Sequence, residues 1–276
     1  MAENITCRVE CEECIIRLSD LLSGSVVRLA QNQKRTAIAF SGGLDSSLIA
    51  HLHAGVSEVE LFSVFMSGSH DERASVEAAR VLGLGDRLHP YLLSEYELEA
   101  ILPHVITLLG SRSLFDLGIA LPLYVAAREA ERRGFKTIAT GQGADELFAG
   151  YRRYETMNPG ELEEELRRDL LKLAEHGLKR DYSVARAHSI GLQLPFLDPE
   201  LVEFAEEIPV ELKVRDGIRK YILRRAAEAL GLPPELSYRE KKAAQYSSGV
   251  HRTLKRIARK NGYLTRAPSS VSSDTR

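Results

Sequence analysis

Residues 36–54 read TAIAFSGGLDSSLIAHLHA, and the middle of this stretch, SGGLDSS at 41–47, decides the fold. TAIAF is a short apolar run that predicts a buried strand, and the residues from Ser46 to Ala54 predict a helix. Two adjacent glycines, three serines and one aspartate therefore occupy the turn between a strand and a helix. Such a turn is typical of anion sites, because the free N–H groups of the first helical turn and the helix dipole both favour negative charge.

Each residue type in this turn suits a chain of phosphates. Gly42 and Gly43 allow the backbone to approach a bulky polyanion without a Cβ clash. Further donors come from three hydroxyls: Ser41, Ser46 and Ser47. Asp45 would repel phosphate unless a divalent cation lay between them, as Mg²⁺ commonly does with one or two carboxylates and phosphate oxygens. The stretch lacks the lysine of a Walker loop and the spacing of a dinucleotide fingerprint. The alternative is a serine-capped glycine turn that serves only the fold.

The composition excludes several classes of protein. The chain has 276 residues, 44% of them hydrophobic and 28% charged, which is ordinary for a soluble globular protein. A formal net charge of −2 gives no global attraction to nucleic acid or an anionic membrane. No apolar run approaches the length of a spanning helix, and the N-terminus, MAENITCRVECEEC, has no apolar signal core. We therefore expect a cytoplasmic protein.

Three cysteines lie close together near the N-terminus, at Cys7, Cys11 and Cys14. Thiolates are soft ligands, so this spacing could hold zinc or an iron–sulfur cluster. The chain offers no fourth cysteine for such a site. The alternative is three reduced thiols at the start of a helix, as a reducing compartment would allow.

Apolar runs and helical patterns alternate along the first half of the chain. We predict strands at 36–40, 59–67, 87–93 and 136–140, separated by helical patterns. Pro90 places the third strand at an edge of the sheet or bends it. The alternation predicts an α/β fold with a doubly wound parallel sheet.

The pattern becomes helical after about residue 150. Residues 161–190 predict a helix with a break at Gly177, and further helical patterns follow at 197–208, 219–230 and 251–260. Four parts are predicted: a Cys-containing helical segment at 1–34, a sheet part at 35–150, a helical lobe at 151–260 and a disordered tail at 261–276. The basic run RTLKRIARK at 252–260 is more typical of a solvated helix face than of an RNA site.

SGGLDSS resembles the pyrophosphate-binding loop of the PP-loop ATP pyrophosphatases, whose fold is of the adenine nucleotide alpha hydrolase type. The superfamily cleaves ATP between the α and β phosphates to adenylate an oxygen, and a nucleophile then displaces AMP. Three later stretches resemble, in order, segments of the catalytic domain of asparagine synthetase, which the β-lactam synthetases share: TGQGADELFAGYRRY (140–154), AHSIGLQLPFLDPELVEFA (187–205) and RKYILRRA (219–226).

The resemblance implies a role for individual residues. Asp45 and Asp145 would bind Mg²⁺, and Lys220 would stabilise charge during adenylation and amide formation. The loop at 41–47 would hold the pyrophosphate portion of ATP. Four other matching positions would line the adenine and ribose: Ala39, Val64, Thr140 and Gly141. Lys241 and Lys242 match a basic loop near the phosphates. The implied reaction is adenylation of a carboxylate, aspartate being the first expectation, followed by displacement of AMP by ammonia, as in asparagine biosynthesis.

Several positions depart from the family pattern, and the resemblance implies that all of them face the acyl substrate rather than ATP. Gln142 stands where the family usually has a glutamate, and glutamine cannot titrate or act as a general base. Gly191 and Gln193 stand where the family often has glutamate and arginine. Glu146, which could equally be a helix N-terminal charge, is a candidate substitute base.

The nitrogen source is open at this stage. Ala2 follows Met1, whereas the glutamine-dependent enzymes have a nucleophilic cysteine at position 2. We therefore expect free ammonia, another amine, or a glutaminase on a separate chain. Two alternatives keep the ATP loop: a PP-loop enzyme that modifies a nucleoside or tRNA, with a metal or cluster on the cysteines, and an ATP-binding subunit without catalysis.

Overall fold

A computed structural model describes the backbone of residues 2–31, 33–239 and 247–261, and the side chains of 11–31, 33–239 and 247–260. Five strands form one parallel sheet with the order β3-β2-β1-β4-β5. The strands are β1 (Arg35–Ala39), β2 (Glu58–Phe65), β3 (Leu88–Leu92), β4 (Thr137–Ala139) and β5 (Gly191–Gln193). A separate antiparallel pair consists of β6 (Val214–Arg215) and β7 (Ile218–Arg219). The α/β prediction with a parallel sheet is confirmed.

The strand order places a switch in direction between β1 and β4. From β1 the chain proceeds outward to β2 and β3, and it then returns to the other side of β1 as β4. Ala37 of β1 is paired with Glu60 of β2 on one side and with Ile138 of β4 on the other, so β1 is the central strand. Doubly wound sheets bind ligands in the crevice that opens at such a point, beyond the carboxyl ends of the strands. SGGLDSS follows β1 and TGQGADE follows β4, so both loops lie at that crevice.

Helices cover both faces of the sheet. They are α1 (Ala2–Ala30), α2 (Leu44–Ala54), α3 (His70–Val81), α4 (Glu95–Leu109), α5 (Leu114–Arg132), α6 (Ala144–Leu147), α7 (Pro159–Lys172), α8 (Leu178–Arg186), α9 (Pro199–Glu207), α10 (Val210–Lys213), α11 (Tyr221–Ala229), α12 (Pro234–Ser237) and α13 (Val250–Asn261). One core joins α1, α2, α9 and α11 to the sheet, and a second joins α4, α5, α8 and α13 to its other face. Alternate residues of β2 divide between the cores, with Leu61 in the first and Phe62 in the second, as the two-residue period of a strand requires.

Local sequence explains where several helices begin. Ser69, Ser94 and Ser113 accept a hydrogen bond from a backbone N–H in the first turn of α3, α4 and α5. Asn158 and Glu161 form a reciprocal capping box at the start of α7. These caps satisfy N–H groups that a helix otherwise leaves without partners.

The structure corrects two predictions in the second half. A fifth strand, β5, lies within the range predicted as a helical lobe, so the sheet is not confined to residues 35–150. The helix does not break at Gly177, because a π-helical turn at Leu173–Gly177 carries it from α7 into α8. The third strand is at the sheet edge, as Pro90 predicted. The predicted tail at 261–276 lies outside the described residues except for the backbone of residue 261.

The N-terminal segment is a single helix that belongs to the core. Leu18, Leu22 and Val26 of α1 are at most 1% exposed, and the helix packs on α2, α9 and α11. None of the helices in the described part of the chain has the length and apolar character that crossing a bilayer requires.

A buried histidine in α2 should make stability depend on pH. His53 is fully buried, and neither ring nitrogen has a hydrogen-bond partner in the described structure. Burial lowers the pKa of His53 from 6.5 to about 4. Between these values the unfolded chain binds the proton more tightly, so the free energy of unfolding should fall by about 3 kcal/mol as the pH falls from 6.5 to 4.

Urea unfolding between pH 4 and pH 7.5 measures this contribution. His53→Leu removes the titrating group and should flatten the pH dependence by that amount. His51→Leu, two residues away, retains the buried imidazole and should keep the slope of the parent chain. Equal slopes for the parent chain and His53→Leu would contradict the assignment.

Candidate functional site

A cavity of about 230 Å³ opens at the carboxyl ends of β1 and β4. The structure brings most of the predicted site residues together around it: Ala39, Ser41, Gly43, Asp45, Ser46, Val64, Thr140, Gly141, Gln142, Asp145 and Lys220. The apolar face of α5 forms another wall, with Gly118, Ile119, Pro122, Leu123 and Ala126. The cavity therefore has one polar end at the two loops and one apolar side, which suits a ligand with a charged and a flat apolar part.

Two residues of the SGGLDSS loop lie behind the cavity rather than in it. Ser47 is fully buried, and its hydroxyl has no partner in the described structure. Gly42 has φ +74°, and a Cβ there would lie 2.3 Å from the carbonyl oxygen of Ala74 in α3. Gly42 is therefore required twice, by its left-handed backbone and by the closeness of the neighbouring helix.

Gly43 is the N-cap of α2 and has no side chain to satisfy the N–H groups of the first turn. Serine or aspartate at this position would cap the helix itself. The hydroxyls of Ser41 and Ser46 lie 3.3 Å apart at the same place. The loop thus presents amide and hydroxyl donors at the positive end of a helix, where an anion is favoured.

Arg239 fixes the back of the loop. Its Nη1 donates to the carbonyl of Gly42 at 3.1 Å and to the carbonyl of Ala74 at 2.9 Å. Its Nη2 lies 3.2 Å from a carboxylate oxygen of Glu77. The guanidinium therefore ties the loop to α3 and also lines the cavity.

Lys220 connects the two loops through its ammonium group. Its Nζ lies 2.6 Å from Oδ1 of Asp45 and 2.7 Å from Oδ1 of Asp145. The lysine is only 2% exposed. Burial alone would lower the pKa of Lys220, but Asp145 and Asp45 raise it, and the net effect keeps the ammonium charged.

The backbone around this ion triad is constrained. Lys220 itself has φ +56°, a left-handed conformation that is costly for a residue with a side chain. A Cβ on Gly150 would lie 1.8 Å from Oδ1 of Asp145 and 2.4 Å from Cε of Lys220. A Cβ on Gly141 would lie 2.9 Å from Cβ of Asp45. Because these two glycines have no side chains, the three charged groups can lie this close together.

The two carboxylates of the triad are possible ligands for Mg²⁺. Within the described residues, no group of three or more His, Cys, Asp or Glu side chains could hold a metal ion. Mg²⁺ in nucleotide sites needs only one or two carboxylates, with phosphate oxygens and water completing its shell. Asp45 and Asp145 converge on one point and are each about one-fifth exposed, so the residues fit an ion that arrives with a phosphate ligand.

The other polar end of the cavity is formed by a carboxamide and a carboxylate. Nε2 of Gln142 donates to Oδ2 of Asp181, which comes from α8 and is 1% exposed. Arg180 donates to Asp181 through Nε at 2.8 Å and also contacts Asp116. Gln142 thus serves as a hydrogen-bond donor to a fixed carboxylate.

The structure corrects the placement of three acceptor-side residues. Gly191 and Gln193 belong to β5 and do not line the cavity. Gln193 is buried, and its Nε2 donates to the carbonyl of Leu29 in α1 at 2.8 Å. Glu146 accepts a hydrogen bond from Tyr151 at 2.5 Å and lines a second cavity, so it does not replace a base in this one. Lys241 and Lys242 lie outside the described residues.

Sequence reasoning missed four charged residues of the cavity: Asp71, Asp181, Arg224 and Arg239. Arg224 lies one turn after Lys220 in RKYILRRA, so the motif contained a signal for it. It donates to the carbonyls of Arg219 and Ser237, and burial lowers its pKa despite the nearby Asp45. The signal for Asp181 was absent, because nothing in the sequence links α8 to the loop after β4.

The predicted metal or cluster on the cysteines receives no support from the helix. All three cysteines lie in α1, and the rise of a helix separates the backbones of Cys7 and Cys14 by about 10 Å. Cys11 is buried in the core. The basic run at 252–260 belongs to α13, where Leu254 and Ile257 are fully buried and Arg256 forms an ion pair with Glu95.

Comparison with known proteins identifies relatives of this chain. The family model described as asparagine synthase matches residues 17–160 and 154–270. Asparagine synthetase B of Escherichia coli K12, named as glutamine-hydrolysing, is 30% identical over 87% of this chain and 47% of its own length. A Methanocaldococcus jannaschii protein, provisionally named glutamine-hydrolysing asparagine synthetase 1, is 34% identical over 91% of this chain and 53% of its own length. The chain spans about half the length of the curated relatives it matches.

Solved structures are similar to this chain as well. The NMN synthetase of Francisella tularensis has 13% sequence identity and a TM-score of 0.47, covering 94% of this chain and 88% of that chain.

Gly42→Ala should abolish ATP binding, because the added Cβ meets the backbone of Ala74 and the loop must move. Gly83→Ala is the matched control, since Gly83 has φ +69° and no atom within 4 Å of an added Cβ. The left-handed backbone should cost each variant about 1 to 2 kcal/mol of unfolding free energy, and the clash with Ala74 should destabilise Gly42→Ala further. Only Gly42→Ala should also lose affinity for ATP in isothermal titration. Equal ATP affinity in the two variants would contradict the steric role.

Gln142→Glu should destabilise the fold, because it replaces a donor to Asp181 by a second carboxylate. A loss of about 1 to 3 kcal/mol is expected, because Asp181 loses the hydrogen bond from position 142 and meets a like charge there. Adding Asp181→Asn restores one donor and one acceptor, so the double variant should recover much of that loss. Urea unfolding of the parent chain, both single variants and the double variant measures the coupling. Additive effects would show that the contact contributes nothing.

Proposed function

The chain belongs to the asparagine synthase family, and from that premise we propose that it is an ATP-dependent, AMP-forming ligase that joins nitrogen to a carboxylate. The observation that carries the proposal is the convergence of Lys220, Asp45 and Asp145 at the switch point of the sheet. A buried, charged lysine next to an anion-binding loop is suited to a reaction in which negative charge builds up on phosphate.

The proposed reaction begins with attack of a carboxylate oxygen on the α-phosphorus of ATP. The bond between this phosphorus and the bridging oxygen to the β-phosphate breaks, and pyrophosphate leaves. The first-turn amides of α2 and the hydroxyls of Ser41 and Ser46 would bind the departing pyrophosphate. Lys220 would stabilise the charge that develops on the phosphate oxygens, since its fixed ammonium needs no reorganisation during the step.

In the second step, nitrogen attacks the activated acyl carbon and AMP leaves with the former carboxylate oxygen. Asp45 and Asp145 would hold Mg²⁺, which neutralises phosphate charge when it is bound. Their contact with Lys220 implies that the ammonium and the cation share the same two carboxylates. Ala39, Val64 and the apolar face of α5 would accommodate the adenine.

We propose aspartate as the acceptor and ammonia as the nitrogen source, supplied free or by a separate glutaminase chain. The placement of Gly191 and Gln193 outside the cavity supports an ordinary family acceptor, because these departures do not alter the pocket. Gln142 does lie in the cavity and cannot accept a proton. Asp181, which it contacts, supplies a carboxylate at the same end.

Pyrophosphate release measured with ATP, Mg²⁺, aspartate and ammonium chloride tests the proposal. The parent chain should release pyrophosphate in a manner that depends on aspartate. Asp45→Asn, Asp145→Asn and Lys220→Met should each reduce the rate by about 100-fold or more, as the loss of one transition-state contact commonly does. Asp86→Asn, at an exposed aspartate far from the cavity lining, should keep the parent rate.

A screen of all amino acids and of tRNA as acceptors extends the same assay. Release stimulated only by another amino acid would keep the ligase and replace the acceptor. Release stimulated only by tRNA, or ATP binding without release for any acceptor, would overturn the ligase and favour nucleoside modification or a non-catalytic subunit.

A further inference from the structure

A second cavity, of about 270 Å³, lies on the other side of α6 from the ATP cavity. Residues of α6, α7, α9 and α10 line it. Neighbouring residues of α6 face different cavities, since Asp145 lines the first and Glu146 lines the second. The proposed reaction uses none of the residues that line this second space.

One wall of the cavity carries a lysine whose ammonium has no partner among the described side chains. Lys213, at the end of α10, is only 5% exposed and lines the cavity. Across residues 11–31, 33–239 and 247–260, its ammonium forms neither a hydrogen bond nor an ion pair within 4.0 Å. Burial lowers the pKa of Lys213 to about 8, although Glu206 and Glu163 act against this. An ammonium that faces a cavity in this way can donate hydrogen bonds to a negatively charged group of a ligand.

The cavity also presents carboxylates. Glu206, at the end of α9, faces the same space and raises the pKa of Lys213 without approaching it to ion-pair distance. No ion pair or hydrogen bond of the Glu206 carboxylate is found among the described side chains. Glu163 is paired with Arg167 at 2.8 Å, and so remains less available. A ligand with only negative charge would be repelled by the carboxylates, and a ligand with only positive charge would be repelled by Lys213.

We propose that this cavity binds a free α-amino acid as its zwitterion, with the carboxylate on Lys213 and the ammonium on Glu206. Such a ligand carries an ammonium and a carboxylate on one carbon atom, and it can bridge two protein charges that do not reach each other. Charge-assisted hydrogen bonds of this kind are about twice as strong as neutral ones. The volume admits a small amino acid.

Isothermal titration without ATP tests the proposal with glycine, L-alanine, L-aspartate and L-asparagine as probes. At least one free amino acid should bind, whereas its N-acetyl and methyl ester derivatives should not, because each lacks one of the two charges. Lys213→Met and Glu206→Gln should each weaken binding by about tenfold or more. Lys179→Met, at an exposed lysine of α8 outside both cavities, is the matched control and should bind as the parent chain does.

Two further measurements separate this site from the ATP cavity. Lys213→Met should retain the ATP affinity of the parent chain, which also shows that the variant folds. Lys220→Met should lose pyrophosphate release but keep amino acid binding. The proposal is overturned if no amino acid binds, if Lys213→Met and Glu206→Gln both bind normally, if the blocked derivatives bind equally well, or if Lys220→Met alone abolishes binding.

Discussion

The site depends on one electrostatic constraint, the burial of the Lys220 ammonium between the carboxylates of Asp45 and Asp145. Removing a charge from water costs several kcal/mol unless opposite charges replace its hydration. Two carboxylates on one ammonium leave a net negative charge, which a divalent cation brought by phosphate can balance.

The backbone accommodates this constraint at several distant positions. The two carboxylates come from loops that follow adjacent strands, so the parallel sheet brings them to one edge. The lysine comes from the start of α11 and reaches them in a left-handed conformation. Gly150 has no side chain at the point where Asp145 and Lys220 meet, and Gly42 has none where the loop passes α3. Residues without side chains thus determine where the charged ones can lie.

The sequence predicted the strand, loop and helix around SGGLDSS because that signal is local. Apolar runs of strand length, a glycine turn and a helical pattern follow each other within twenty residues. β5 was missed because three residues, Gly191 to Gln193, are too short to show a two-residue period, and their strand pairing comes from β4. The contact of Gln142 with Asp181 could not be predicted, since it joins α8 to a loop 39 positions earlier in the chain. Gln193 was misplaced for the same reason, as its partner is a carbonyl in α1.

The Gln142 contact also changes how a departure from a family pattern is interpreted. In the sequence, glutamine in place of glutamate indicates the loss of a titrating group. In the structure, its amide donates to Asp181, whose two oxygens also accept from Arg180. A glutamate at position 142 would meet that carboxylate without a proton to share, so glutamine is the residue that this neighbour requires. The negative charge at this end of the cavity therefore comes from α8, where Arg180 holds the carboxylate of Asp181 in place.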